Sequence, residues 1–171
     1  IIKLEIPTVC HKSLKVIDRA ISQYEPDVIL SIGQAGGRAD ITVERVGINI
    51  DDGPIPDNEG NQIIDEPVAK DGPAAYFVTV PVKAMVQRIR SKDIPASVSN
   101  TAGTFVCHLI AEKSPGKRSG FIHIPYLPGQ VVNKKSVPSM SQDMMVEAVI
   151  AAIEAIVDTK EDIKVVGGKA H

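Results

Sequence analysis

Short apolar segments alternate with amphipathic helical segments along this chain, and this alternation constrains the fold more than any other feature. The run 27–32 is mostly apolar and ends at Gly33, which is typical of a strand buried on both faces. Apolar residues at helical spacing predict a helix over 13–24. Further strands are predicted over 41–50, 75–80, 96–99 and 121–125, and further helices over 82–91, from Thr104 onward and over 141–157. This order predicts an α/β fold, a three-layer α/β/α sandwich with a mostly parallel, twisted sheet and helices on both faces.

The chain is expected to form one domain over residues 1–171, because no repeat or linker divides it. Residues 51–71 are rich in Asp, Asn, Gly and Pro, which predicts a long ordered loop or a lid. The tail from Asp158 is polar and is expected to be loosely held. The opening run 1–6 alternates like a strand and begins at Ile1 rather than Met. A trimmed start and a missing piece of the fold both fit; we favour the second and expect the N-terminal strand of the fold to be missing.

The composition argues against nucleic-acid and membrane binding. The chain carries 19 Lys and Arg against 21 Asp and Glu, so no basic excess is available to neutralise phosphates. Aromatic residues make up 4% and Trp is absent, which removes the side chains that stack on bases. No apolar run reaches the length of about 18 residues that a membrane-spanning helix needs.

The cysteine content predicts a reduced, cytoplasmic protein. Two cysteines, Cys10 and Cys107, are too few for a disulfide framework or a structural zinc site. His, Cys, Asp and Glu do not cluster at metal-ligand spacing, and 33–38 lacks the pattern of a dinucleotide or phosphate loop. We therefore expect neither a metal nor a cofactor.

Cys107 is the first candidate for chemistry. It follows a strand and the turn 99–103 and is placed in the first turn of a predicted helix. Free backbone amides and the helix dipole at such a position favour the thiolate, which is the nucleophilic form. A buried cysteine acting as a small hydrophobe fits the same local context equally well.

Glu44 and His123 are the residues that could serve such a cysteine. Glu44 lies in a segment otherwise fit for burial, and its neighbour Arg45 points to the opposite face of a strand, so the carboxylate needs another partner. A histidine imidazole would suit it. His123 lies in a short strand, where a lone histidine is usually a satisfied core residue, but with Cys107 and Glu44 a Cys–His–Glu triad becomes plausible.

Three segments in register carry a resemblance to a known family. GQAGGR at 33–38 with ITVERVGIN at 41–49 resembles the glutamate signature of the pyrrolidone-carboxylate peptidase (pyroglutamyl peptidase type I) family. SNTAGTFVC at 99–107 resembles its cysteine signature, and FIHIPYLP at 121–128 resembles its histidine segment.

The resemblance implies a cysteine peptidase that removes N-terminal pyroglutamate (5-oxoproline) from peptides. By this likeness Cys107 is the nucleophile, His123 the general base and acid, and Glu44 the residue that orients the imidazole. The positions that match the family's apolar substrate pocket are Thr8, Gln34, Ile55, Phe105 and Val106. Gln34 would hydrogen-bond the lactam amide. Family members are commonly homo-oligomers, so the likeness also implies a dimer or a tetramer.

Departures from the family pattern motivate a second hypothesis. The family opens with a strand and an aromatic loop that clamps the lactam, and nothing here matches that loop. His108 follows the nucleophile where Asn is usual, Pro54 stands where an Arg near the oxyanion site is common, and Gly47 replaces Ala. The alternative is a non-catalytic or degenerate relative that binds small lactams or peptides; a different cysteine amidase chemistry is a third reading. The environment of Gln34 and Ile55 favours the lactam.

Overall fold

The computed structural model describes residues 1–9, 12–104 and 116–168. Within these ranges the helices are α1 (Lys12–Tyr24), α2 (Val82–Arg90), α3 (Pro128–Val131) and α4 (Gln142–Asp158). The strands are β1 (Val28–Gln34), β2 (Ile41–Glu44), β3 (Val46–Ile48), β4 (Ala75–Phe77), β5 (Ala96–Ser99) and β6 (Arg118–Ile124). The predicted helix over 82–91 and the predicted strand over 96–99 are therefore confirmed, and the strand predicted over 41–50 is divided at Arg45. The helix predicted from Thr104 onward falls on 105–115, outside the described residues.

The two long helices follow local sequence signals. α1 has apolar residues at helical spacing, and it ends shortly before Pro26. α4 begins after Ser141, whose hydroxyl oxygen accepts a hydrogen bond from the backbone N–H of Met144 at 3.3 Å. No helix among the described residues has the length and apolar character needed to cross a membrane.

The main sheet has four strands in the order β1-β6-β2-β5. β1 and β6 are parallel, as are β2 and β5, and the central β2–β6 pair is antiparallel. The predicted α/β fold with a mostly parallel sheet is thus confirmed. β3 and β4 form a separate antiparallel pair.

One apolar core lies between the sheet and the helices α2 and α4. Its fully covered side chains come from β2 (Ile41, Val43), β6 (Ile122), α2 (Met85, Ile89) and α4 (Ala148, Ala152). Because strand side chains alternate, these β2 and β6 residues occupy one face of the sheet and leave every second residue for the other face.

The predicted long loop over 51–71 is confirmed, and side chains within it and just before it hold it in place. The Asn49 side chain accepts from the N–H of Ala69 and donates to its carbonyl, both at 2.8 Å. The buried Asp57 carboxylate accepts from the N–H groups of Glu59 at 2.8 Å and Asn61 at 2.9 Å. The loop is ordered because these bonds add to backbone hydrogen bonds within it, such as the pair exchanged by Asp51 and Glu66.

The strand-like reading of residues 1–6 and the expected burial of β1 are wrong, although β1 itself forms where a strand was predicted. The opening run 1–6 has no regular structure, and Ile1 is 99% exposed. An alternating pattern makes a strand only when a neighbouring strand pairs with it, and no described strand pairs with this run. β1 was expected to be buried on both faces, yet its residues are only partly buried and Ile32 is 47% exposed.

The tail beyond α4 is held more firmly than its polar sequence predicts. The Asp162 carboxylate accepts from the backbone N–H groups of Lys83 and Ala84, each at 3.0 Å. Further along, the carbonyl of Gly167 accepts from the Arg45 guanidinium at 3.0 Å. The tail is therefore anchored to the first turn of α2 and to the residue after β2.

Candidate active site

The face of the sheet opposite the core carries buried polar side chains. In β2, Thr42 and Glu44 alternate with the core residues Ile41 and Val43, and all four are buried. Glu44 is 1% exposed. A carboxylate at that depth needs compensating partners, and the structure supplies two.

The first partner of Glu44 is His123 of β6. The imidazole Nδ1 lies 2.7 Å from Glu44 Oε1, and the histidine side chain is 8% exposed. The antiparallel register of the neighbouring strands β2 and β6 pairs Thr42 with His123 and Glu44 with Phe121. The Glu44 carboxylate therefore meets the imidazole as a diagonal neighbour. With Nδ1–H donating to the carboxylate, Nε2 is the nitrogen left to exchange a proton.

Phe121 fixes the plane of the same imidazole. Its ring meets the His123 ring edge to face, with centroids 4.5 Å apart and planes at 83°. Both residues are buried, so packing and the bond to Glu44 together restrict the histidine to one orientation.

The second partner of Glu44 is Arg38, which the sequence analysis did not single out. Its Nη1 donates to Glu44 Oε1 at 2.5 Å and also to the hydroxyl oxygen of Thr42. Arg38 closes the glycine-rich turn that follows β1. The usable signal was the need of an inward carboxylate for a charge partner, with an arginine six residues upstream on the preceding turn.

Gln34 ends β1, where the parallel register pairs it with Ile124 and pairs the preceding Gly33 with His123. The Gln34 side chain is exposed and exchanges hydrogen bonds with the amide of Gln130 at 2.8 and 3.1 Å. It is therefore an exposed primary amide at the end of a strand, with hydrogen-bonding groups that a ligand could use.

The turn after Gln34 packs closely against the segment that follows β6. A Cβ at Gly36 would lie 2.2 Å from the ring of Tyr126, so a side chain there would require that ring to move. Close contact between these two segments keeps the turn against the end of β6.

The predicted pocket residues Thr8 and Ile55 are connected through the loop 51–71. Ile55 is 63% exposed, and the Thr8 carbonyl accepts from the N–H of Asn58 at 3.1 Å. The N–H of Asp52 donates to the Thr104 carbonyl at 2.9 Å, and the Thr104 hydroxyl donates to the Asp52 carbonyl at 2.9 Å. The loop is thereby tied both to the N-terminal segment and to the turn that precedes Cys107.

Three of the predicted site residues, Cys107, Phe105 and Val106, lie outside the described residues, as does His108. The turn before them is described: the N–H of Thr101 bonds to the Ser99 hydroxyl at 3.3 Å, and Gly103 has a φ of +82°. In the part of the chain that the structure describes, no group of three or more His, Cys, Asp and Glu residues is arranged to hold a metal ion.

A buried imidazole held at Nδ1 by a carboxylate, on the sheet of an α/β fold, is the pairing that hydrolases use for general acid–base catalysis. Comparison with known proteins narrows this class. A model of the pyroglutamyl peptidase family matches residues 1–159. The chain belongs to the pyroglutamyl peptidase family, a family of peptidases.

Individual relatives agree with that assignment. The pyrrolidone-carboxylate peptidase of Finegoldia magna is 58% identical, with 100% of this chain and 84% of the relative covered. That of Treponema denticola is 60% identical, with 99% and 83% covered. Among solved structures, pyroglutamyl peptidase I from Bacillus amyloliquefaciens superposes with a TM-score of 0.90 at 45% identity, covering 94% of this chain and 80% of that one. The pyrrolidone carboxyl peptidase of Thermococcus litoralis gives 0.89 at 34% identity, with 94% and 81% covered.

Proposed function

We propose that this chain is a cysteine peptidase that removes N-terminal pyroglutamate from peptides, with Cys107 as nucleophile, His123 as general base and acid, and Glu44 as the residue that orients the imidazole. The observation that supports it most directly is the 2.7 Å contact between His123 Nδ1 and Glu44 Oε1, at the two positions given by the family resemblance. Membership of a peptidase family supports the reaction type.

The reaction follows from the roles of these groups. His123 Nε2 takes the thiol proton of Cys107, and the thiolate attacks the carbonyl that joins the lactam residue to the next amino acid. The imidazolium then protonates the departing amine as the carbon–nitrogen bond breaks, leaving a pyroglutamyl thioester. Water, deprotonated by His123, hydrolyses the thioester and releases pyroglutamate and the thiol. Glu44 stabilises the imidazolium that forms in each half of the cycle.

The substrate is proposed to lie against Thr8, Gln34, Ile55, Phe105 and Val106. Gln34 would exchange its bonds with Gln130 for bonds to the lactam amide, which has one donor and one acceptor that match a primary amide. The exposed apolar side chain of Ile55 would cover the uncharged ring. The partners are then N-terminally pyroglutamylated peptides.

Release of a chromogenic amine from a pyroglutamyl amide tests this function. We expect turnover by the wild-type chain, loss of turnover in Cys107→Ser, and inactivation by iodoacetamide near neutral pH but not by chelators. The matched control is a Ser99→Ala variant, which alters the turn before Cys107 but no proposed catalytic group. Full activity in Cys107→Ser would remove the proposed nucleophile. Binding of pyroglutamate by calorimetry without turnover would instead favour the binding-only relative.

The proposal extends to assembly, location and domain organisation. The family resemblance supports a homo-oligomer, a dimer or a tetramer, and the presence of two cysteines supports a cytoplasmic location. We also propose that residues 1–171 act as a single domain. Sedimentation of the purified chain tests the assembly.

A further inference from the structure

We infer that Arg38 is a positioning residue for the reaction, holding the Glu44 carboxylate in the one place from which it can orient His123. The inference rests on the proposed function. Its basis is a shared atom: Arg38 Nη1 and His123 Nδ1 both bond to Glu44 Oε1, at 2.5 and 2.7 Å.

The second carboxylate oxygen of Glu44 makes neither of these hydrogen bonds. Glu44 Oε2 is buried and has no hydrogen-bond partner among the described residues. Within that part of the chain, two donors on a single oxygen therefore fix the carboxylate, and removing one of them leaves the imidazole as the single remaining donor.

Thr42 is a second residue of β2 that bonds to Arg38. Its hydroxyl accepts from the same Nη1, it is buried, and the strand register places it directly opposite His123. The guanidinium thus bonds to the two residues of β2 that share the face of the imidazole. An arginine used only to solubilise the turn would not need either bond.

The buried charge of Glu44 explains why an arginine stands at position 38. Glu44 is 1% exposed, and a buried carboxylate needs a compensating cation. A neutral imidazole cannot supply one before the reaction begins, whereas a guanidinium is charged at every working pH. Without Arg38 the carboxylate has to be compensated by the imidazole or leave the position that accepts Nδ1–H.

Arg45 provides a contrast within the same strand region. It is adjacent to Glu44 in sequence but its guanidinium donates to the Gly167 carbonyl in the C-terminal tail, at 3.0 Å. Of these two arginines, Arg38 bonds to Glu44 and Arg45 does not. Arg45→Ala is therefore the matched control for Arg38→Ala.

The kinetic test compares Arg38→Ala, Arg38→Lys, Thr42→Val and Arg45→Ala on a pyroglutamyl amide. We expect Arg38→Ala to lower kcat by about 10- to 100-fold, the size of effect seen when a metal-binding histidine loses the carboxylate that orients it, with KM little changed. Lysine should retain part of the rate, Thr42→Val should lower it less, and Arg45→Ala should match the wild type. Equal kcat in Arg38→Ala and wild type would overturn the inference.

Chemical rescue separates positioning from folding. The Arg38 side chain is 29% exposed, so a free guanidinium ion has access to the space that alanine leaves. Millimolar guanidinium chloride should restore part of the Arg38→Ala rate, potassium chloride at the same concentration should not, and Arg45→Ala should not respond to either salt. An Arg38→Ala variant that is folded, slow and indifferent to guanidinium would contradict a positioning role.

A readout without turnover keeps the inference separate from the proposed function. The Nδ1 proton of His123, bonded to a buried carboxylate, should give a downfield proton resonance in the wild type and in Cys107→Ser. We expect the Cys107→Ser/Arg38→Ala double variant to lose or broaden this resonance and guanidinium to restore it. An unchanged resonance would refute the inference, even if the wild type showed no peptidase activity and the proposed function failed.

Discussion

At the scale of single residues, Gln34 is where specificity for the lactam can be measured. It ends β1, its amide is exposed, and its bonds to Gln130 can be exchanged for bonds to a ligand. We expect Gln34→Leu to lower kcat/KM for a pyroglutamyl amide about fivefold, since a neutral hydrogen bond is worth about 1 kcal/mol. The kcat/KM for the matching prolyl amide, which lacks the lactam carbonyl, should fall less than that for the pyroglutamyl amide.

The control for this prediction is Gln130→Leu. That variant removes the present partner of Gln34 but leaves the Gln34 amide free to meet the substrate, so its preference for pyroglutamyl over prolyl amides should persist. Equal preference ratios in wild type and Gln34→Leu would show that Gln34 does not read the lactam.

The sequence predicted the inward orientation of Glu44, because the alternation of side chains along a strand was sufficient for it. Strand alternation turned Glu44 away from Arg45, and the structure brings Glu44 to His123, 79 residues further along the chain. Arg38 was missed because its contact depends on how the turn after Gln34 folds back on β2, which no period in the sequence encodes. The role of Cys107 remains a prediction.

At the scale of elements, α2 has its N-terminal cap on a distant segment. Pro81 precedes the helix and offers no side-chain cap, so the Asp162 carboxylate accepts from the N–H groups of Lys83 and Ala84 instead. These are donors that a helix cannot satisfy internally, and a negative charge there also suits the helix dipole. The polar composition of the tail hid this contact from the sequence analysis.

We expect Asp162→Ala to lower the free energy of unfolding by about 1 kcal/mol, the usual effect of losing a helix cap. Loss of the anchor should also speed proteolysis of the tail beyond α4. Urea denaturation followed by circular dichroism measures the first effect and limited proteolysis the second. The matched control is Glu161→Ala, an exposed neighbouring acid for which the structure shows no bond to α2. Equal loss in the two variants would rule out a specific cap.

Element boundaries show which signals a sequence carries. α1 and α4 have amphipathic spacing and end signals, and both formed close to where they were predicted. The opening run 1–6 has the alternation of a strand, but none of the described strands lies beside it, and pairing is a property of the whole sheet. α3 was not predicted because it is a four-residue helix with one proline, too short to show a period.

At the scale of the whole molecule, the two faces of the main sheet have different roles: one packs the core and the other carries the candidate site. One face packs Ile41, Val43 and Ile122 into the core with α2 and α4, and the other holds Glu44 and His123. The α/β class followed from the order of apolar segments. The antiparallel β2–β6 pair did not, because strand order is decided by long-range packing, yet that pair creates the contact between the carboxylate and the imidazole.

This separation predicts that adjacent residues of β6 fail in different ways. Ile122 is fully buried in the core beside His123, so Ile122→Val should lower the free energy of unfolding by about 0.5–1.5 kcal/mol. For a chain of this size that corresponds to a fall in Tm of about 2–4 °C per kcal/mol. The kcat at 25 °C should stay at the wild-type value, because the lost methyl group faces away from the imidazole. His123→Gln should instead abolish turnover. Calorimetry and kinetics on the same two variants check this, and a large loss of kcat in Ile122→Val would show that the two faces are coupled.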